Sequence, residues 1–440
     1  MATGTSGVLA ESGLSRATTV RFLGWRMLAL TFVANFLASA ISLSAFGNFI
    51  DPLAREFGVA RSTIGYGLPC AILTMGIAGP FVGRWLDQGR ARRMMSAGAA
   101  LAGFGLLLAS RAPSIGLLAA AFVAFVCTGA ALFGIIPSMA VVASWFVRRR
   151  GLAIGVTVAG ATVASYVAPA SAQWLIDAWG WRTAFVCFGA TGLFLAAPLF
   201  AFCLVGRPEE VGQRPDGGPT AGDPSSGSAA YEDLEIGALE TSELVRDRRL
   251  WLLAIGFGLV SSSPVVLLGL LVPYGTDLGF TQQQANVFFL TMMPLSLAAK
   301  VVIGGLADRA PLKPAMLFVV VLNVLVWVVL ATEPGYPLFL AAGALYGIGI
   351  GGAAPLQGVA IGRVFGRANF GRANGMGGLV GVPIIAIASA TSHFLLGATG
   401  GYGAGFALQM GLIVLGGAAL AVVRIPTQGA GARVPPDPAS

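Results

Sequence analysis

The chain has 440 residues, 56% of them hydrophobic and only 10% charged, against about 25% charged in an ordinary soluble domain. That much apolar surface exceeds what one globular core hides, so lipid is the expected solvent and a soluble enzyme is excluded. The formal charge of +8 raises nucleic acid as a partner, but the basic residues lie scattered in short loops between apolar runs, which removes it.

Residues 1–24 form a polar tail with Arg16 and Arg21 and no secretory pattern, so the first apolar run is read as a retained helix. Spans are expected near 25–48, 64–84, 94–110, 115–143, 152–175 and 182–205. A Pro/Gly/Ser-rich linker over 206–249 follows, ending in a segment (231–251) able to lie as an amphipathic helix on the membrane face. Six more spans are expected near 250–273, 285–305, 314–331, 337–361, 375–397 and 404–423, before a tail over 424–440. Internal prolines such as Pro80, Pro169, Pro294 and Pro383 suit helices in a membrane bundle, where neighbours re-satisfy freed backbone groups. All but a few of the 27 Lys and Arg fall on one side of this topology. The positive-inside rule then places both termini and the linker in the cytoplasm and the protein in the inner (cytoplasmic) membrane.

The two sets of six spans repeat. Pro52, Gly58, Gly83, Asp87, Gly180 and Phe185 recur 221 residues later as Pro273, Gly279, Gly304, Asp308, Gly401 and Phe406, and RGLAIG from Arg150 faces FGRANG from Phe370. The fold class is therefore all-α integral membrane, with twelve transmembrane helices in two pseudo-symmetric halves over 25–205 and 250–423. No metal or cofactor site is expected: Cys70, Cys127, Cys187 and Cys203 all sit inside apolar runs, and the single His393 stands apart from them.

The loop after the second span reads GRWLDQGRARR and that after the eighth GGLADRAPLK. Each offers a small residue for a tight crossing, a carboxylate four positions on, and cations beyond. Gly83, Asp87, Arg92 and Arg93, with Gly304, Asp308 and Arg309, are the candidate conformational latch. This pattern resembles the major facilitator superfamily over the whole chain apart from tails and linker. Within it, WFVRRRGLAIG (Trp145–Gly155) and WGWRTAF (Trp179–Phe185) resemble the monocarboxylate transporters and their oxalate/formate antiporter relatives. Gln88 departs from the family pattern, which more often has a basic residue there.

Charge at membrane depth is costly and points to function. Lys300 is the one cation well inside a span, eight residues or ~12 Å before Asp308. A snorkelling lysine is the alternative, but the resemblance implies that a cation of the eighth helix at this spacing meets a substrate carboxylate. The carboxylate that many monocarboxylate carriers place one turn earlier is Ser296 here, and no Asp or Glu falls at mid-span. Asn35, Phe133, Tyr166, Tyr346 and Gln357 are further candidates to line a substrate cavity, and His393 is a candidate proton-linked group. The resulting expectation is a monomeric secondary transporter that moves a small organic anion, a monocarboxylate, by alternating access. An exporter of hydrophobic or drug-like compounds is the alternative; APASA around Pro169 lacks the pattern typical of drug/proton antiporters.

Overall fold

In lipid a backbone N–H or C=O has no water to turn to, so long apolar runs settle as helices that bond themselves. The structure is a computed structural model describing residues 22–217 and 237–426, and those residues contain no strand. Ten helices are long and apolar enough to cross a membrane. In chain order these are α1 (Gly24–Phe57) and α2 (Arg61–Asp87), then, past α3 (Ala91–Ala109), α4 (Ile115–Trp145) and the run Arg150–Cys203. There follow α7 (Arg248–Asp277), α8 (Gln282–Ala307), α9 (Leu312–Ala331), α10 (Tyr336–Phe365), α11 (Phe370–Thr399) and α12 (Gly403–Val422).

The 54-residue run would be ~80 Å long as one rod. It turns instead at Gly180, whose φ of 82° and ψ of 163° only glycine adopts at low cost. We number the arm before Gly180 α5 and the arm after it α6. Arg182 donates to Ser110 O at one end of α3, while Arg92 and Ser96 donate to Ala201 O and Ala197 O at the other, so α6 runs back beside α3. α3 itself carries Arg92 and Arg93 in its first turn, which lowers its mean apolarity, yet it packs along α4 and α6. With α3 counted and the long run divided, the described residues hold twelve crossings.

The repeat anchors occupy equivalent places. Gly58 and Gly279 both take positive φ (64° and 87°) just past α1 and α7. Phe185 packs on Phe49 and Trp181, and Phe406 on Tyr274 and Trp327, in the aromatic core of each half. The π-helical segment Ala40–Ser44 in α1 aligns, at the same 221-residue offset, with the turn at Ser261–Ser262 that interrupts α7. Serines answer the freed carbonyls there: Ser42 donates to Ala38 O at 2.6 Å, and Ser262 Oγ lies 2.7 Å from Leu259 O.

Several helices outrun the apolar spans expected from sequence. α1 continues through Pro52 to Phe57, and α10 extends to Phe365, because turns at the headgroup level tolerate polar side chains and stay helical. The linker differs more. Its composition predicts a flexible tether, yet its described head is pinned: Gln213 accepts from Leu23 N, Asp216 accepts from Val147 N and Arg148 N, and Glu209 pairs with Arg367. Of the expected amphipathic helix, 231–236 lie outside the described residues. The rest is a short helix, Thr241–Arg246, ended at Asp247, which caps α7 through Arg249 N.

The halves meet along two seams, α2 against α11 and α5 against α8. Among the described residues, the glycines whose added Cβ would strike the other half's backbone lie toward the arginine-rich loops, here the basic face, and Gly76 meets the Val382 side chain near mid-helix. On α2–α11, Gly79 approaches Gly375 and Gly83 approaches Gly371; on α5–α8, Gly151 approaches Gly304 and Gly155 approaches Lys300 O. The halves are thus closed at the basic face, and the described residues make no such backbone approach toward the opposite one.

Candidate functional site

Above the closed seams lies a cavity of about 220 Å³ between the halves. α4 and α5 supply Ile135, Val158 and Ala161; α7 supplies Val260, Ser261 and Pro264 beside its interruption. α8, α9 and α10 add Lys300, Asn323, Gln357 and the small-residue stretch around Ala353 and Ala354. No carboxylate is among these lining residues, and Lys300 is the one cation. Its backbone carbonyl is level with Gly155, where an added Cβ would lie 2.0 Å from it. Its ammonium nonetheless donates to the hydroxyl of Thr162, seven residues and ~10 Å farther along α5 from the basic face. The side chain therefore runs toward the membrane middle and into the cavity. A lysine snorkelling to the nearer, basic face would run the other way.

Two carboxylates lock the seams below. Asp87, at the end of α2, accepts from Gly371 N (3.0 Å), Arg372 N (3.1 Å) and Arg372 Nε (2.8 Å) at the start of α11. Asp308, just past α8, accepts from Gly151 N (2.6 Å) and Leu152 N (3.0 Å) at the start of α5. Each carboxylate thus caps the N-terminus of a helix in the other half, where unpaired N–H groups and the helix dipole favour negative charge. Gly83 and Gly304 sit one turn earlier, where a Cβ would lie 2.2 Å from Gly371 O and 2.3 Å from Gly151 O. Burial pushes the Asp308 carboxyl up from its ordinary range, against the pull of the Leu152 and Gly151 N–H groups and of Arg363 and Arg150. Desolvation thus outweighs the partners.

This geometry coincides with the likeness to known proteins. The family description "Major Facilitator Superfamily" matches residues 28–312. The chain belongs to the major facilitator superfamily. It is 28% identical to Monocarboxylate transporter 11 of Mus musculus over 420 residues, 89% of this chain and 86% of that protein. It is also 28% identical to Monocarboxylate transporter 3 of Rattus norvegicus over 424 residues, 95% of this chain and 83% of that one. The solved structure of the proton:xylose symporter XylE bound to 6-bromo-6-deoxy-D-glucose shares the fold, with a TM-score of 0.71 at 14% identity, over 91% of this chain and 96% of that chain. The chain is a major facilitator membrane transporter and not an enzyme.

Of the residues picked from sequence, the structure brings Lys300 and Gln357 together in the cavity of this major facilitator fold. The others lie elsewhere. Asn35 is buried and donates to Thr157 O, joining α1 to α5. Phe133 is fully buried against Phe200, and Tyr346 is fully buried with its hydroxyl on Ser263 Oγ. Tyr166, 37% exposed, stands one turn beyond Thr162 on α5. His393 is exposed on α11, with Nδ1 2.8 Å from Ser389 O and its ring against Gly269 of α7. Arg92 bonds to α6 of its own half, and Arg93 and Arg309 are exposed, so the carboxylates do not use these loop cations.

Sequence reasoning missed the true partners of the two carboxylates, although the paired phrases RGLAIG and FGRANG contain them. Asn323 and Thr162 were also missed: Asn323 is a lone amide in an apolar span, and Thr162 is one of several small hydroxyl residues along α5. Arg150, which opens the RGLAIG phrase but was not picked as a site residue, is buried beside the α5–α8 seam, with its guanidinium where a Cβ at Gly362 of α10 would be.

Proposed function

We propose that this protein carries a small monocarboxylate anion across the cytoplasmic membrane by alternating access, with Lys300 as the seat of the carboxylate. The observation that carries the reading is the Lys300 ammonium, extended toward the membrane middle into a cavity between the halves with no lining carboxylate. Insertion scales put such a charge at about 3 kcal/mol, and an anion entering the cavity supplies the counter-charge. Apart from Ser261, Asn323 and Gln357 the rest of the lining is apolar, which suits a short organic tail. The relatives named as monocarboxylate transporters agree with this substrate class. In this reading the protein is a monomer with halves over 25–205 and 250–423. The basic face, linker and both termini are cytoplasmic, and the closed seams describe the outward-facing carrier. Asp87 and Asp308 with Gly83 and Gly304 form the conformational latch, with Arg372 in place of the neighbouring loop arginines.

The test is thermal stabilisation of the purified protein titrated with acetate, L-lactate, pyruvate and benzoate. Wild type is expected to be stabilised by at least one of them. Lys300→Gln should lose that stabilisation while remaining folded. Lys300→Arg, which turns a point cation into a planar fork, should keep part of it with a changed order of preference. Unchanged half-saturation in Lys300→Gln overturns the reading.

A further inference from the structure

Among the described residues, the polar contacts between the two halves fall into two groups. Those of Asp87 and Asp308 lie at the basic face, where Glu209 of the linker also pairs with Arg367. The remaining one is Lys300 to Thr162, ~10 Å farther in along α5. It is the uppermost bond of the closed seam, and its lysine lines the cavity. Thr162 follows the cavity-lining Val158 by one turn on the same face of α5, and is next in sequence to the cavity-lining Ala161. It is half-buried, and in this arrangement its hydroxyl oxygen accepts from the ammonium while its proton is free to rotate.

We infer that Thr162 is a positioning and specificity residue of the carrier, and that the carboxylate of the transported anion is held between Thr162 of one half and Lys300 of the other. The inference rests on the anion reading of Lys300. In the empty carrier the hydroxyl holds the ammonium over the cavity floor. When the anion arrives, one carboxylate oxygen takes the ammonium and the second accepts the hydroxyl proton, so Thr162 changes from acceptor to donor. No covalent bond changes, and the anion replaces a direct bond between halves with a bridged one. A carboxylate, with two oxygens on one carbon, spans the two donors; a ligand with a single acceptor oxygen satisfies only one of them.

A second role for Thr162 gives the opposite sign. If it only tethers Lys300, it competes with the anion, and its removal tightens binding. If it shares the anion, its removal weakens binding. The experiment is titration of folded, full-length variants with whichever of acetate, lactate, pyruvate or benzoate stabilises wild type, together with initial-rate uptake in proteoliposomes. Thr162→Val, nearly the same shape without the hydroxyl, should raise half-saturation and KM about tenfold, the range expected for one hydrogen bond to a charged group. The maximal rate should change much less. Thr162→Ser should restore affinity to within about threefold of wild type. Thr162→Ala replaces the valine variant if that one fails to fold. Unchanged or tighter binding in Thr162→Val, alongside lost binding in Lys300→Gln, overturns the role of Thr162 and leaves the anion reading standing. Unchanged binding in Lys300→Gln overturns both.

Discussion

Lys300 and the seam glycines act at the scale of single atoms. The Lys300 carbonyl packs where Gly155 has no side chain; that tight crossing fixes the root of the lysine, and its stem runs up α5 to Thr162. Gly83 is equally constrained: an added Cβ would lie 2.2 Å from a backbone oxygen, which has no rotamer to give way. Gly83→Leu should therefore prevent the basic face from closing and bias the carrier toward the opposite opening. The distance between spin labels in the α2–α3 and α10–α11 loops is expected to lengthen in that variant; an unchanged distance distribution contradicts the account. Much at this scale was legible in the sequence. Lys300 stood out because charge is rare at that depth, and Gly83, Asp87, Gly304 and Asp308 because they repeat at 221 residues. Whether an aromatic faces the cavity or the packing was not legible. Phe133 and Tyr346 lie in spans that do contribute to the cavity, and only the rotation of each helix turns them into the packed interior.

At the scale of elements, each proposed latch is a carboxylate set on the first turn of a helix from the other half. The sequence displayed the carboxylates and cations side by side, which favours a pairing within the loop. The N–H groups of a helix start carry no side-chain signature, so the actual partners emerge only once α5 and α11 cross α8 and α2. The two latches are not equal. Asp87 has the Arg372 guanidinium besides two N–H groups, whereas Asp308 has two N–H groups at separate oxygens. Asn in either place offers one acceptor oxygen and turns an amide N–H toward the second donor. Asp308→Asn should slow transport several-fold and leave equilibrium binding nearly intact, and Asp87→Asn should slow it more. Parallel measurement of uptake rate and half-saturation checks both, and loss of binding in Asp308→Asn would refute the latch. The interruptions of α1 and α7 were hidden for a related reason, since Ala40–Ser44 and Ser261–Ser262 read as ordinary small residues in a span.

For the whole molecule, twelve crossings, an internal repeat and a one-sided distribution of arginines were readable because lipid imposes run length, and topology imposes loop charge. The pinned head of the linker was not, since Arg207, Glu209, Gln213 and Asp216 find their partners on loops distant in sequence. Coupling to protons belongs to this scale too. No carboxylate lines the cavity, and His393 lies outside it, against α7. His393→Gln is expected to leave most transport intact, with an imposed pH gradient acting through the protonation of the substrate. A substrate-independent proton current abolished by that change would contradict this. The central claim is tested most directly by uptake of radiolabelled lactate, pyruvate, acetate and benzoate into proteoliposomes containing the purified wild-type protein, with Lys300→Gln vesicles in parallel. The account predicts saturable uptake of at least one monocarboxylate, inhibited by others of its class and reduced at least tenfold in Lys300→Gln. Uptake of none of them, or equal uptake by the two proteins, would contradict it.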